Sequence, residues 1–238
     1  MIACGVVTLL FLTFGITAPY GKYSRPGFGI SLNAKLAWMV QEAPSFLVVA
    51  YMAHNNSSEI RNAPNDCLLC LFLFHYFNRT FIYPLRLRGG KPTPLFVFLM
   101  AFAFTTYNGV LQGQYMTQLA SMNRQTDLAF WVGLALFTVG WFVNYHSDNT
   151  LRSLRRPGET GYKIPRGGMF EYVSGANFLG EIVEWTGWAV ASQSLPATAF
   201  AIFTACNIGP RAYAHHNFYL KNFPNYPRHR KAIIPFIL

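Results

Sequence analysis

The chain has 238 residues, enough for one large or two small soluble domains, yet 52% are hydrophobic and only 12% are charged, where a soluble domain carries about a quarter charged residues. Its formal net charge of +10 would suit nucleic acid, but the basic residues cluster between long uncharged stretches instead of interleaving with aromatics on one module. That distribution excludes a soluble nucleic-acid binder and points to a membrane protein.

A hydrocarbon core takes about 20 apolar residues of helix, because lipid offers no partner to an open backbone amide. Residues 1–21 carry no charge and form the first predicted span. No basic segment precedes its apolar core, and TAPYGKY follows in place of a small-residue cleavage site, so it reads as retained rather than as a signal peptide. Residues 36–54 and 67–85 give the second and third spans, each with a few internal ionisable groups. Residues 92–123 and 128–147 are uncharged and give the fourth and fifth. Residues 172–190, again with a few ionisable groups, give the sixth, and the uncharged stretch 185–210 gives the seventh. The run SDNTLRSLRRPGETGYKIPRGG continues the fifth helix, breaks at Pro157-Gly158 and should form a structured loop.

The predicted fold is an all-α integral membrane bundle of about seven transmembrane helices forming one domain over residues 1–238, with no internal repeat or linker. With seven spans, the odd-numbered loops and the C-terminal tail hold nearly all the loop Lys and Arg, and the even-numbered loops hold only Arg61 and Arg124. Lys and Arg accumulate on the cytoplasmic side, which puts the N-terminus outside and the C-terminus in the cytoplasm. A multi-pass protein of this kind belongs in the endoplasmic reticulum of a eukaryote or the inner membrane of a bacterium. Cys67 and Cys70 form a C-x-x-C without a second pair or spaced histidines, so no metal site is expected.

Ionisable groups inside a span are expensive and face a cavity or each other. Asn144, Asp148, Arg152 and Arg155 recur on one stripe of the fifth helix. Asn177, Glu181 and Glu184 do so in the sixth, and Arg211, His215 and Tyr219 at the inner end of the seventh. Together with the loop Arg and Lys, such a set suits a large anionic ligand of a phosphorylated-cofactor type, with cations on phosphates and Asn or carboxylates on ribose hydroxyls or a carboxamide. No Rossmann or P-loop motif is present. The Gly167-Gly168 pair would allow backbone to approach a phosphate, or serves an ordinary turn. A second set comprises Trp38, Gln41 and Glu42, followed by Pro44, together with His75, Tyr76 and Arg79 of the third span. A neutral Glu hydrogen-bonded beside a Tyr is equipment for polarising a carbonyl. The alternative for all of these residues is interhelical glue.

WMVQEAPSF, FHYFNRTFIYP, NGVLQG, the run from Asn144 to Trp188 and RAYAHHNFYLKNFPNYPRHRKAIIPFIL together resemble the steroid 5α-reductase family, the type 2 form in particular, from the second span to the C-terminus. The resemblance implies a seven-helix membrane enzyme that uses NADPH to reduce the 4,5 double bond of 3-oxo-Δ4 steroids, and a monomer is expected. It implies that Glu42 and Tyr76 bind the steroid 3-carbonyl as catalytic residues, with Trp38 and Gln41 binding substrate. It assigns Asn144, Asp148, Arg155, Tyr162, Asn177, Glu181, His215 and Tyr219 to the dinucleotide, with Lys91, Arg152, Lys163 and Arg88 as phosphate partners. Lys91 and Lys163 stand where the family pattern leads one to expect Arg, Met100 replaces a charged residue, and Ala214 leaves Ala-His-His where some members have three histidines. These departures bear on cofactor affinity more than on reaction type. Competing readings are reduction of another lipid enone, enoyl thioester or polyprenol, and an isoprenylcysteine-type methyltransferase, which needs fewer cations because its cofactor has no phosphate.

Overall fold

The computed structural model describes residues 1–55, 62–87, 91–120, 124–154, 159 and 161–238. Each apolar stretch is helical. The helices are α1 (Ile2–Leu10, extended by a π-helical turn Phe11–Gly15), α2 (Ala34–Asn55), α3 (Ala63–Phe77), α4 (Tyr83–Arg86), α5 (Leu95–Gln114, extended by a π-helical turn Tyr115–Leu119), α6 (Leu128–Ser153), α7 (Ala176–Ser192) and α8 (Leu195–Asn222). A π-helical segment, Asn78–Ile82, joins α3 to α4. The expected overlap of the last two spans resolves at Gln193, whose left-handed backbone (φ 47) ends α7. Ser194 then caps α8, its side chain accepting from Ala197 N, with Pro196 in the first turn.

Ala34–Asn55, Leu95–Leu119 and Leu128–Ser153 are long and apolar enough to cross a membrane, and Ile2–Gly15 is a shorter apolar helix. Polarity is distributed as lipid requires. Phe14, Leu36, Tyr51, Leu128 and Leu195 are exposed while Gln41, His75, Asn108, Gln112 and Glu184 are buried, the reverse of what water selects.

The chain forms two compact units, one of Met1–Ala18 with Trp131–Leu238 and one of Pro19–Phe130. In the first, α6 and α7 meet through glycine. Gly133 and Gly140 lie seven residues apart on α6, as do Gly180 and Gly187 on α7. A Cβ on Gly140 would overlap the Glu184 backbone nitrogen, and one on Gly180 that of Asn144. Gly133 and Gly187 stand in the same way against Ala191 and Phe137. Backbone therefore touches backbone, the close approach that small residues permit between helices. Phe178 of α7 packs with Ile208 and Ala212 of α8 and with Ile233 of the C-terminal segment. That segment returns to the start of α7: Ser174 N and Gly175 N donate to Lys231 O (2.8 Å) and Ala232 O (3.0 Å), and Lys231 N donates to Tyr172 O (2.9 Å).

In the second unit, α5 lies against α2 along Thr105, Gly109 and Gly113, one residue per turn. A Cβ on Gly109 would sit 2.8 Å from Pro44 O, and one on Gly113 2.7 Å from Met52 Sδ. Pro44 lies inside α2 and has no N–H to give the preceding turn. Side chains of α5 and α2 bond near this break: the Thr105 hydroxyl donates to Gln41 O, and Ser45 Oγ donates to Thr105 O (3.0 Å). Ser31–Leu32 (β1) and Thr93–Pro94 (β2) pair antiparallel at the entry to these helices.

Candidate functional site

In the second unit the predicted carbonyl-binding residues sit on α2 and α3, which pack together. Trp38, Gln41 and Glu42 fall within one turn and a little more of α2, and Tyr76 near the end of α3. Gln41 and Tyr76 are buried. Arg79, in the π-helical segment, stacks its guanidinium over Trp38 (5.0 Å) and Tyr83 (4.8 Å), whose rings are 5.1 Å apart. A half-buried cation–π contact of this kind is worth about 1 kcal/mol and helps fix the plane of Trp38. Trp38 Nε1 and Gln41 Oε1 are buried without a hydrogen-bond partner among the described residues, a donor and an acceptor three residues apart. Asn108 Nδ2 donates to the Tyr76 hydroxyl (3.2 Å), and Gln112 Nε2 donates to Asn108 Oδ1 (3.1 Å). Sequence reasoning gave these two amides no role. The signal was their four-residue spacing in an uncharged span.

In the first unit the seam of glycines brings the predicted cofactor residues of α6 and α7 together. Asn144 Nδ2 donates to Asn177 O (2.9 Å), one turn from the Gly140–Gly180 contact. Asn144, Asp148 and Arg152 lie on α6. Arg155 lies outside the described residues, as do Arg88, Arg61 and the expected helix break at Pro157-Gly158. Arg152 donates to Asn149 Oδ1 (2.6 Å). Glu181 lies on α7 one turn beyond Asn177. On α8, His215 stacks against Phe178 (5.4 Å), over which Arg211 is placed (4.9 Å). Tyr219 is buried and lies nearly parallel to Tyr226 (5.1 Å, 5°). Tyr162 meets Phe218 edge-on (5.4 Å), and Lys163 pairs with Glu159 at the surface. Lys91 is exposed and belongs to the second unit.

The Gly167-Gly168 pair serves a turn. Both residues have positive φ (88 and 55), which glycine adopts without strain, and Gly167 N donates to Glu171 Oε1 (2.6 Å). That bond, with Arg230 beside it, holds the Glu171 carboxyl below its ordinary value of 4.5. Arg230 is buried, donates to Pro165 O (2.8 Å) and Glu171 Oε2 (3.1 Å), and lies 5.5 Å from the Tyr226 ring centre. Ser174 Oγ bonds both Tyr226 OH (2.6 Å) and His216 Nδ1 (2.7 Å). The C-terminal segment thus straps the loop that carries Tyr162 and Lys163, a role no motif announced. The described residues contain no group of His, Cys, Asp and Glu able to hold a metal.

A family model described as 3-oxo-5-alpha-steroid 4-dehydrogenase matches residues 91–238. The protein named 3-oxo-5-alpha-steroid 4-dehydrogenase 1 in Bos taurus is 47% identical, covering 99% of this chain and 93% of its own length. The form numbered 2 in Rattus norvegicus is 50% identical over 96% of this chain and 91% of its own. Form 1 of Homo sapiens is 48% identical over 92% and 85%. Identities this similar do not single out the type 2 form.

Proposed function

The chain belongs to the 3-oxo-5-alpha-steroid 4-dehydrogenase family, and from that premise we propose that it is a membrane oxidoreductase that reduces the 4,5 double bond of a 3-oxo-Δ4 steroid with NADPH. The observation that supports the substrate half is the pair of orphaned polar atoms, Trp38 Nε1 and Gln41 Oε1, buried one turn apart on α2. Such atoms are destabilising unless the polar group of a ligand or a bound water meets them.

When bound, NADPH supplies a hydride, here to the steroid C5. The donor set of the first unit fits a dinucleotide in its chemistry: Asn144, Asp148, Asn177 and Glu181 offer amide and carboxylate groups for hydroxyls and a carboxamide, and Arg152, Lys163, His215, Tyr162 and Tyr219 offer donors for phosphate and ring groups. Arg155 and Lys91 are assigned on the family likeness. In the second unit, Tyr76 donates a hydrogen bond to the C3 oxygen, where enolate charge develops. Glu42 in its neutral form is a second donor, because an anion there would repel that charge. Protonation at C4 completes the saturated product. Trp38 and Gln41 orient the steroid.

The likeness runs through both units, which supports treating the chain as one enzyme. The loop charges support seven spans with the N-terminus outside and the C-terminus in the cytoplasm, where NADPH is available. Tyr76→Phe and Glu42→Leu test the chemistry in purified, monomeric protein. Each should lower turnover by a factor on the order of 10² to 10³ while NADPH binding persists. Near-normal turnover in both would leave the pair as bundle glue and refute the reading.

A further inference from the structure

Asn108 and Gln112 are fully buried in an uncharged helix, a placement that is destabilising unless their hydrogen bonds are made. They lie one turn apart, on a side of α5 held in register by the Thr105, Gly109 and Gly113 contacts with α2. Their bonds run in one direction: Gln112 Nε2 to Asn108 Oδ1 (3.1 Å), then Asn108 Nδ2 to the Tyr76 oxygen (3.2 Å). A phenol oxygen that accepts from an amide sends its own proton away from that amide. Donors arranged head to tail also polarise one another, so an amide aimed at the phenol oxygen makes its O–H a stronger donor.

We propose that Asn108, oriented by Gln112, is a positioning residue that sets the Tyr76 phenol as the donor to the substrate carbonyl and strengthens it as enolate charge develops. This rests on the reading of Tyr76 as the residue that holds the carbonyl. The relay touches neither steroid nor cofactor. It acts through Tyr76, so its effect disappears when the phenol oxygen is absent, whereas a packing role would persist.

The experiment is a double-mutant cycle in the purified full chain, with NADPH and a 3-oxo-Δ4 steroid, reading kcat and NADPH affinity separately. Asn108→Leu should lower kcat on the order of tenfold, the value of one hydrogen bond in the transition state, with NADPH affinity unchanged. In a Tyr76→Phe background the same substitution should change kcat by less than about twofold. Asn108→Ala removes the amide donor with a smaller side chain and must reproduce the loss, which decides the matter should the Leu variant not fold. Gln112→Met should give a smaller loss that also vanishes without the Tyr76 hydroxyl. An equal fall in both backgrounds, or an Ala variant with normal kcat, overturns the relay while leaving the role of Tyr76 intact. Normal turnover in Tyr76→Phe alone overturns the underlying reading as well.

Discussion

Replacing Arg230 by Met keeps an aliphatic stem of similar reach but removes the guanidinium that ties the C-terminal segment to residues 165–171. The bond to Pro165 O is short (2.8 Å) and buried, and a hydrogen bond from a charged donor is worth about 1.5–3 kcal/mol. The Glu171 carboxylate is 43% exposed, so its pairing is discounted to surface strength, about 0.5 kcal/mol. The sum, roughly 2–3.5 kcal/mol, corresponds to a fall of about 4–14 °C in Tm for a chain of this length. Thermal unfolding in detergent, followed by tryptophan fluorescence, measures it. Arg230→Lys should lose about half as much, because one ammonium cannot reach both acceptors in the guanidinium's fork. The Glu171 carboxyl is held below its ordinary value, so its share is present above pH 4.5 and is lost as pH falls through the lower folded-state value. The difference between the wild type and Glu171→Gln should therefore shrink only in acid. A change in Tm below about 2 °C for Arg230→Met would refute the claim that this contact straps the tail.

NADPH should outcompete NADH by about tenfold or more in equilibrium binding, since a 2′-phosphate adds at least one charge-assisted contact worth about 1.5 kcal/mol; equal affinities would remove the assignment. Gly140→Ala should destabilise by about 1–3 kcal/mol through overpacking and weaken NADPH binding by moving Asn144. Gly209→Ala, which meets nothing within 4 Å, should leave both unchanged. With Cys4, Cys67, Cys70 and Cys206 replaced by Ala, an impermeant thiol reagent applied outside should label Gln125→Cys and not Ser153→Cys, both of them exposed positions. Reversed labelling would refute the orientation.

Helix positions were legible because apolar stretches are a property of local sequence, and three of them, Ala34–Asn55, Leu95–Leu119 and Leu128–Ser153, are long and apolar enough to cross a membrane. The stripe Asn144, Asp148, Arg152 could be read for the same reason, since all three fall on α6. What could not be read is anything set by contacts distant along the chain. Asn177 meets Asn144 through its backbone carbonyl, which no side-chain pattern encodes. Asn108 and Gln112 belong to the NGVLQG segment that carries the family resemblance, but their role depends on Tyr76, which Asn108 bonds from more than thirty residues away. Arg230 read as one more basic residue of a charged tail. Only the fold shows that it is buried, because its partners lie in the loop near Pro165. The start of α8, expected at residue 185 and found at Leu195, was misplaced because residues 185–192 are uncharged and suit either helix. Ser194 and Pro196, which decide the boundary, are weak signals in an uncharged stretch.

The glycine seam of α6 and α7 also bears on inheritance. Every glycine codon begins with two guanines, and no single-base change in one yields another residue that lacks a Cβ. At Gly133, Gly140, Gly180 and Gly187 a Cβ is what the opposing backbone has no room for. Even the mildest missense allele at these four codons, alanine or serine, therefore meets main chain that cannot change rotamer to make space. Conservative and drastic alleles should accordingly lie closer together in severity there than at Gly209, where small substitutions are harmless and only large or charged ones are felt.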